Sequence, residues 1–134
     1  MDKFKASKEY ENNLNVEKRK KYGIYYTPEE IVEYIVDKTI GNLDIIKNPC
    51  PKILDSSCGC GNFLICAYEK LLKIFEEKSD ELVEKYKDDR FEKRNLPKYI
   101  LENCIYGTDV DSGAVDIAKE LLLKEMISYS KNID

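Results

Sequence analysis

The sequence contains no histidine, and that absence removes several chemistries at once. A serine or cysteine nucleophile has no imidazole to take its proton, and a mixed Cys/His zinc site cannot be built. The five cysteines do not replace it: Cys58-x-Cys60 lacks the two-residue gap of a zinc ribbon, and no second paired motif follows. No apolar run reaches the roughly eighteen residues that a membrane-spanning helix needs. The first residues, Met1-Asp2-Lys3-Phe4-Lys5, lack the apolar core of a secretion signal. Excess positive charge is missing too. A net charge of −4 argues against the chain alone being a strong non-specific DNA binder. Five cysteines without a secretion signal point to free thiols in a reducing, cytoplasmic setting.

What is present suits one globular domain: 134 residues, 36% charged and 43% hydrophobic. Residues 1–21 form a lysine-rich leader, expected to be solvated or partly helical, with Phe4, Tyr10, Leu14 and Val16 available to anchor it. Residues 22–50 carry Tyr25-Tyr26-Thr27-Pro28 and then a helix with Ile31, Val32, Ile35, Val36 and Ile40 on one face. Thr27 is the expected N-cap, with Glu30 completing a capping box. Asn48-Pro-Cys-Pro51 ends that unit, since it cannot continue a helix.

Residues 51–130 hold the informative stretch. A short apolar run, Ile53-Leu54, ends on Asp55. The turn Ser56-Ser57-Cys58-Gly59-Cys60-Gly61 follows, and then a helix with Phe63, Leu64, Ala67, Leu71, Leu72 and Phe75 on one face. A strand, a glycine turn and a helix start bring backbone N–H groups and a partial positive charge to one place. Residues 76–98, dense in charges of both signs, are expected as a solvent-facing helix or helical loop. A second strand then runs through Cys104-Ile-Tyr-Gly-Thr-Asp-Val-Asp111, with Ser112 as the N-cap of the last helix. The expected fold is α/β, a partial Rossmann-like arrangement of helix, strand, helix, strand and helix with an incomplete sheet.

In a parallel sheet the tips of successive strands are neighbours. Asp109 is then placed to accept hydrogen bonds from both hydroxyls of a ribose, and Val110 to pack on an adenine face. Asp111 is open to a different task, capping the last helix. S-adenosylmethionine and NAD both remain candidate ligands. Leu64 stands where a dinucleotide fingerprint has its third glycine, and Asp55 would repel a pyrophosphate but suits an ammonium. Both features favour S-adenosylmethionine.

Three segments, Tyr22 to Val32, Leu54 to Leu64 and Ile105 to Asp111, resemble in the same order the cofactor motifs of adenine-N6 DNA methyltransferases. The similarity is greatest to modification subunits of type I restriction systems and to fused type II restriction–methylation enzymes. The resemblance implies that Tyr25, Tyr26 and Thr27 flank the methionine carboxylate. It implies that Asp55 and the backbone of Ser57, Cys58, Gly59 and Gly61 hold the amino-acid part, and that Asp109 and Val110 hold the nucleoside. Ser56 and Cys60 replace the family's usual proline and serine. The family's Asn/Asp-Pro-Pro-Tyr/Phe motif, which binds the target adenine, does not occur in the sequence, so no catalytic residue is assigned.

The expected function is therefore the S-adenosylmethionine-binding portion of an adenine-specific DNA methyltransferase, inactive alone. The implied partners are double-stranded DNA through the intact enzyme, a completing methyltransferase chain, and a specificity or restriction component. An incomplete sheet also invites self-association. The alternative, favoured by Ser56 and Cys60, is a non-enzymatic module that binds a partner and has lost the cofactor. Methylation of protein or RNA is a weaker third reading, disfavoured by the Tyr-Thr-Pro segment.

Overall fold

In a computed structural model, residues 2–14, 17 and 27–133 are described. Helix α1 (Lys5–Asn12) and helix α2 (Glu29–Ile40) precede strand β1 (Ile53–Asp55). Helix α3 (Asn62–Tyr86) leads through two 3-10 turns, Asp89–Phe91 and Lys93–Asn95, into helix α4 (Leu96–Asn103). Strand β2 (Ile105–Gly107) and helix α5 (Ser112–Ile133) complete the order. The fold is α/β, with a two-stranded parallel sheet among the described residues.

The sheet sets Ile53 opposite Ile105 and Asp55 opposite Gly107. Pairing runs past the strands: Thr108 N donates to Asp55 O at 3.0 Å, and Cys58 N to Thr108 O at 2.9 Å. Both chains therefore leave the sheet side by side. In a parallel ladder, alternate residues turn their backbone groups to alternate neighbours. Ile53 and Asp55 bond toward β2, so the backbone of Leu54 faces the outer edge.

Helix α3 is the core element. Leu64, Ala67, Leu71, Leu72 and Phe75 are buried on it as their spacing requires. The charged segment departs from expectation. Helix α3 continues to Tyr86 with Ser79 and Leu82 buried, and Phe91, Leu96 and Pro97 also lie inside. Leu82 falls on the same helical face as Phe75, and the Ser79 hydroxyl donates to Phe91 O at 2.6 Å. The charges occupy the other face. Phe91 then packs on Tyr99 (5.0 Å between centroids) and Phe75 (6.3 Å).

The first residues are partly helical and anchored through Phe4, one of the residues the sequence offers for that role. Phe4 is fully buried, and Lys3 Nζ bonds Glu33 at 3.1 Å and Glu69 at 3.0 Å, joining the chain start to α2 and α3. Burial works against that ammonium, but the bonds to Glu69 and Glu33 outweigh it and raise its pKa.

Two caps differ from the sequence reading. Pro28, not Thr27, occupies the N-cap of α2, at ψ 143°, and no side chain caps the helix. At that ψ Pro28 is itself extended and the helix begins only at Glu29, so Thr27 lies one residue too early and the capping box with Glu30 does not form. At α5 the cap is Asp111, whose Oδ1 accepts Gly113 N at 3.0 Å and Ala114 N at 3.4 Å. A carboxylate at a helix start also complements its dipole.

The expected apolar face of α2 divides. Val32, Val36 and Ile40 are buried, whereas Ile31 and Ile35 are exposed, Ile35 lining the cleft along the edge of β1 that is unpaired among the described residues.

Candidate functional site

The two strand tips and the start of α3 converge. At the tip of β1, Asp55 Oδ1 accepts Ser57 N at 3.1 Å, bending the chain into the glycine turn. Gly59 follows at φ +53°, with no atom of another described residue beyond its chain neighbours within 4 Å of where a Cβ would stand, so among the described residues the turn presents its backbone to open space. Gly61 is different. At φ +93° it packs on α5, and a Cβ there would lie 2.8 Å from Ala118 Cβ. Gly59 is placed to approach a ligand; Gly61 is a packing requirement.

Helix α3 starts immediately after Gly61, with no side-chain cap and no acidic residue in its first turn. That arrangement leaves the helix start suited to an anion.

Asp109 joins the tips. Its Oδ2 accepts Gly59 N at 3.0 Å across the two loops, and its Oδ1 accepts Asp111 N at 2.8 Å. A carboxylate has about four acceptor positions, so two bonds leave room for a diol. Val110, beside it, is 75% exposed, an apolar side chain at the tip with little protein cover.

Cys58 and Cys60 turn inward and are buried. Burial pushes both thiols up, helped for Cys58 by Asp55 and Asp109 and for Cys60, at about 11, by Asp111. They stay neutral near pH 7, and only the backbone of Cys58 is offered to the turn. Among the described residues no group of His, Cys, Asp and Glu is arranged to hold a metal ion.

Thus Asp55, Ser57, Cys58, Gly59, Gly61, Asp109 and Val110 come together at the tips, with Gly61 covered by α5. Thr27 leads directly into α2, and Tyr25 and Tyr26 lie outside the described residues. A cleft of about 510 Å³ runs from Asp55 and Ser56 along the outer edge of β1, between Ile35 and Thr39 of α2 and Phe63 of α3. Leu54, 64% exposed, stands on that edge.

Helix α1 was not apparent from the sequence as part of this region. Ser7 and Glu11 are buried on it, and Tyr10 Oη donates to Asp111 Oδ2 at 2.6 Å. That bond, with burial and the Asp111 charge, pushes the phenol up to about 12. The raised value favours the protonated donor, so the bond persists below the ordinary tyrosine range and is lost as pH rises through about 12. Phe4, Ser7, Tyr10 and Glu11 share a helical spacing, but three of the four are polar, and the spacing therefore carries no hydrophobic signal.

Comparison with known proteins gives two kinds of match. The family model described as N-6 DNA methylase matches residues 6–132. A putative type II restriction enzyme and methyltransferase of Methanocaldococcus jannaschii is 31% identical over 93% of this chain and 14% of its own length. The adenine-specific methyltransferase BrxX of Escherichia coli O9:H4 is 36% identical over 50% of this chain and 5% of its own. The chain thus spans a small fraction of either relative. No helix among the described residues is long and apolar enough to cross a membrane.

Proposed function

The chain belongs to the N-6 DNA methylase family, and on that premise we propose that it is the S-adenosylmethionine-binding part of an adenine-N6 DNA methyltransferase. One observation carries the reading: the Asp109 carboxylate, bonded across the loops to Gly59 N at 3.0 Å, stands where a ribose diol would be held beside a glycine turn. The cofactor supplies a methyl group on a sulfonium; the protein supplies position and charge.

In this reading Asp109 accepts the two ribose hydroxyls and Val110 packs on the adenine. The Gly59 region and the open start of α3 receive the methionine carboxylate, flanked by Tyr25, Tyr26 and Thr27. Asp55 faces the ammonium. The negative field that helps raise the Cys58 and Cys60 thiols also favours a cationic ligand. The sheet, turn and helix together form the first half of a Rossmann-like domain. The N-6 DNA methylase family and a relative named as a putative type II restriction enzyme and methyltransferase support DNA, taken here as the double-stranded form, as the substrate of the whole enzyme. Methyl transfer is not expected from this chain alone, since it carries no Asn-Pro-Pro-Tyr motif.

The test is calorimetric titration with S-adenosylmethionine. Saturable binding at one site per chain, competed by S-adenosylhomocysteine, is the expected result. A folded chain that takes up no heat of binding contradicts the proposal.

A partner-binding role is favoured by the free edge of β1, where the Leu54 backbone faces an apolar cleft of about 510 Å³. An unpaired edge beside apolar surface is a template for another strand. In light scattering, the chain is expected to associate as concentration rises, and Leu54→Lys to reduce that association. A wild-type chain that stays monomeric throughout rules out self-association at this edge.

A further inference from the structure

Helix α1 reaches the loop beyond β2, where Tyr10 Oη donates to Asp111 Oδ2 at 2.6 Å. From Asp111 the connection continues inward. Its N–H donates to Asp109 Oδ1 at 2.8 Å, and Asp109 Oδ2 accepts Gly59 N at 3.0 Å. Three hydrogen bonds thus lead from the first helix to the open turn.

Each link has a reason to be specific. Capping α5 occupies Asp111 Oδ1, through Gly113 N and Ala114 N, while Oδ2 takes the phenol of Tyr10. Gly113 leaves space for that phenol: a Cβ there would stand 2.8 Å from Tyr10 Oη. Glycine is a poorer helix former than alanine, and here the vacated space is filled by Tyr10. A carboxylate held on both oxygens has lost its rotational freedom before any ligand arrives, which lowers the cost of binding.

We propose that Tyr10 is a positioning residue for the nucleoside half of the ligand, fixing through Asp111 the orientation in which Asp109 joins the two strand tips. This rests on Asp109 being the ribose-binding carboxylate.

Two variants of the full chain test it. Tyr10→Phe removes the hydroxyl and keeps the ring. Gly113→Ala keeps Tyr10 but displaces its hydroxyl, while its higher helix propensity should preserve α5. In the ligand-free chain, hydrogen exchange at the Gly59 amide should accelerate about tenfold in both variants, with the Leu71 and Phe75 amides of α3 unchanged. Affinity for S-adenosylhomocysteine and for adenosine should fall by a common factor of about three to thirty, a fraction of one charge-assisted hydrogen bond, because Asp109 itself is retained. Affinity for methionine should not change.

Unchanged exchange at Gly59 overturns the proposal. Equal acceleration at Gly59, Leu71 and Phe75 also overturns it, because Tyr10 would then support the fold in general. If the wild-type chain binds no adenosyl ligand, the cofactor reading fails, and Gly59 exchange still decides whether Tyr10 holds Asp109.

Discussion

Gly61→Ala should cost about 2–5 kcal/mol of stability, while Gly59→Ala should cost only about 1–2 kcal/mol. Both glycines sit at positive φ, +53° and +93°, where an L side chain carries a strain of roughly 1–2 kcal/mol. They differ in what a methyl group meets. At Gly61 it would reach Ala118 Cβ at 2.8 Å and Ala118 Cα at 3.2 Å. Neither atom belongs to a flexible side-chain end, so the glycine turn and α5 must separate. Overpacking of that kind adds about 1–3 kcal/mol. At Gly59 the methyl group enters open space.

The ligand effects should run the other way. Gly59→Ala places its methyl group where the turn faces solvent, and affinity for S-adenosylmethionine should drop by more than the loss of stability accounts for. Urea denaturation and calorimetry on both variants separate the two. If Gly61→Ala folds as well as the wild type, the close packing of the turn on Ala118 is wrong. If Gly59→Ala binds normally, Gly59 does not approach the ligand.

Asp109→Ala is the substitution expected to affect binding most. It removes an acceptor from two backbone donors, Gly59 N and Asp111 N, and both bonds of the carboxylate to a diol. Hydrogen bonds to a charged group contribute about 1.5–3 kcal/mol each, so losing two ribose bonds lowers affinity at least about a hundredfold. Asp109→Asn keeps one acceptor oxygen, but its NH2 group would face one of two N–H donors. It should fall between the wild type and Asp109→Ala. Affinity unchanged in either variant, measured by titration on folded protein, would remove Asp109 from the site.

The parts of this fold that were legible in the sequence are those decided locally. A short apolar run ending on Asp55, glycines at 59 and 61 and an apolar face from Leu64 to Phe75 place a strand, a turn and a helix without reference to the rest of the chain. Asp109 followed from the same logic at the second strand tip.

Three things were hidden for physical reasons. The buried face of α1 carries Ser7 and Glu11, and polar residues on a buried face give no hydrophobic period. The charged stretch packs through a few residues, Ser79, Leu82 and Phe91, three to twelve positions apart, the first two on a helix whose other face holds the charges. The cap at Pro28 depends on the ψ angle of one residue, and residue type alone places a helix start only to within a position. Ile31, Ile35 and Leu54 illustrate the opposite limit. Their apolar character is plain in the sequence, yet they are exposed, Ile35 and Leu54 along a strand edge that has no partner among the described residues.

The most direct test of where the ligand lies is amide hydrogen exchange on the full chain with and without S-adenosylmethionine. Protection gathered at Gly59, Asn62, Val110 and Asp111, spanning both strand tips, is the result this account requires. Protection confined to α4 or to the far end of α3, with the strand tips unchanged, would contradict it.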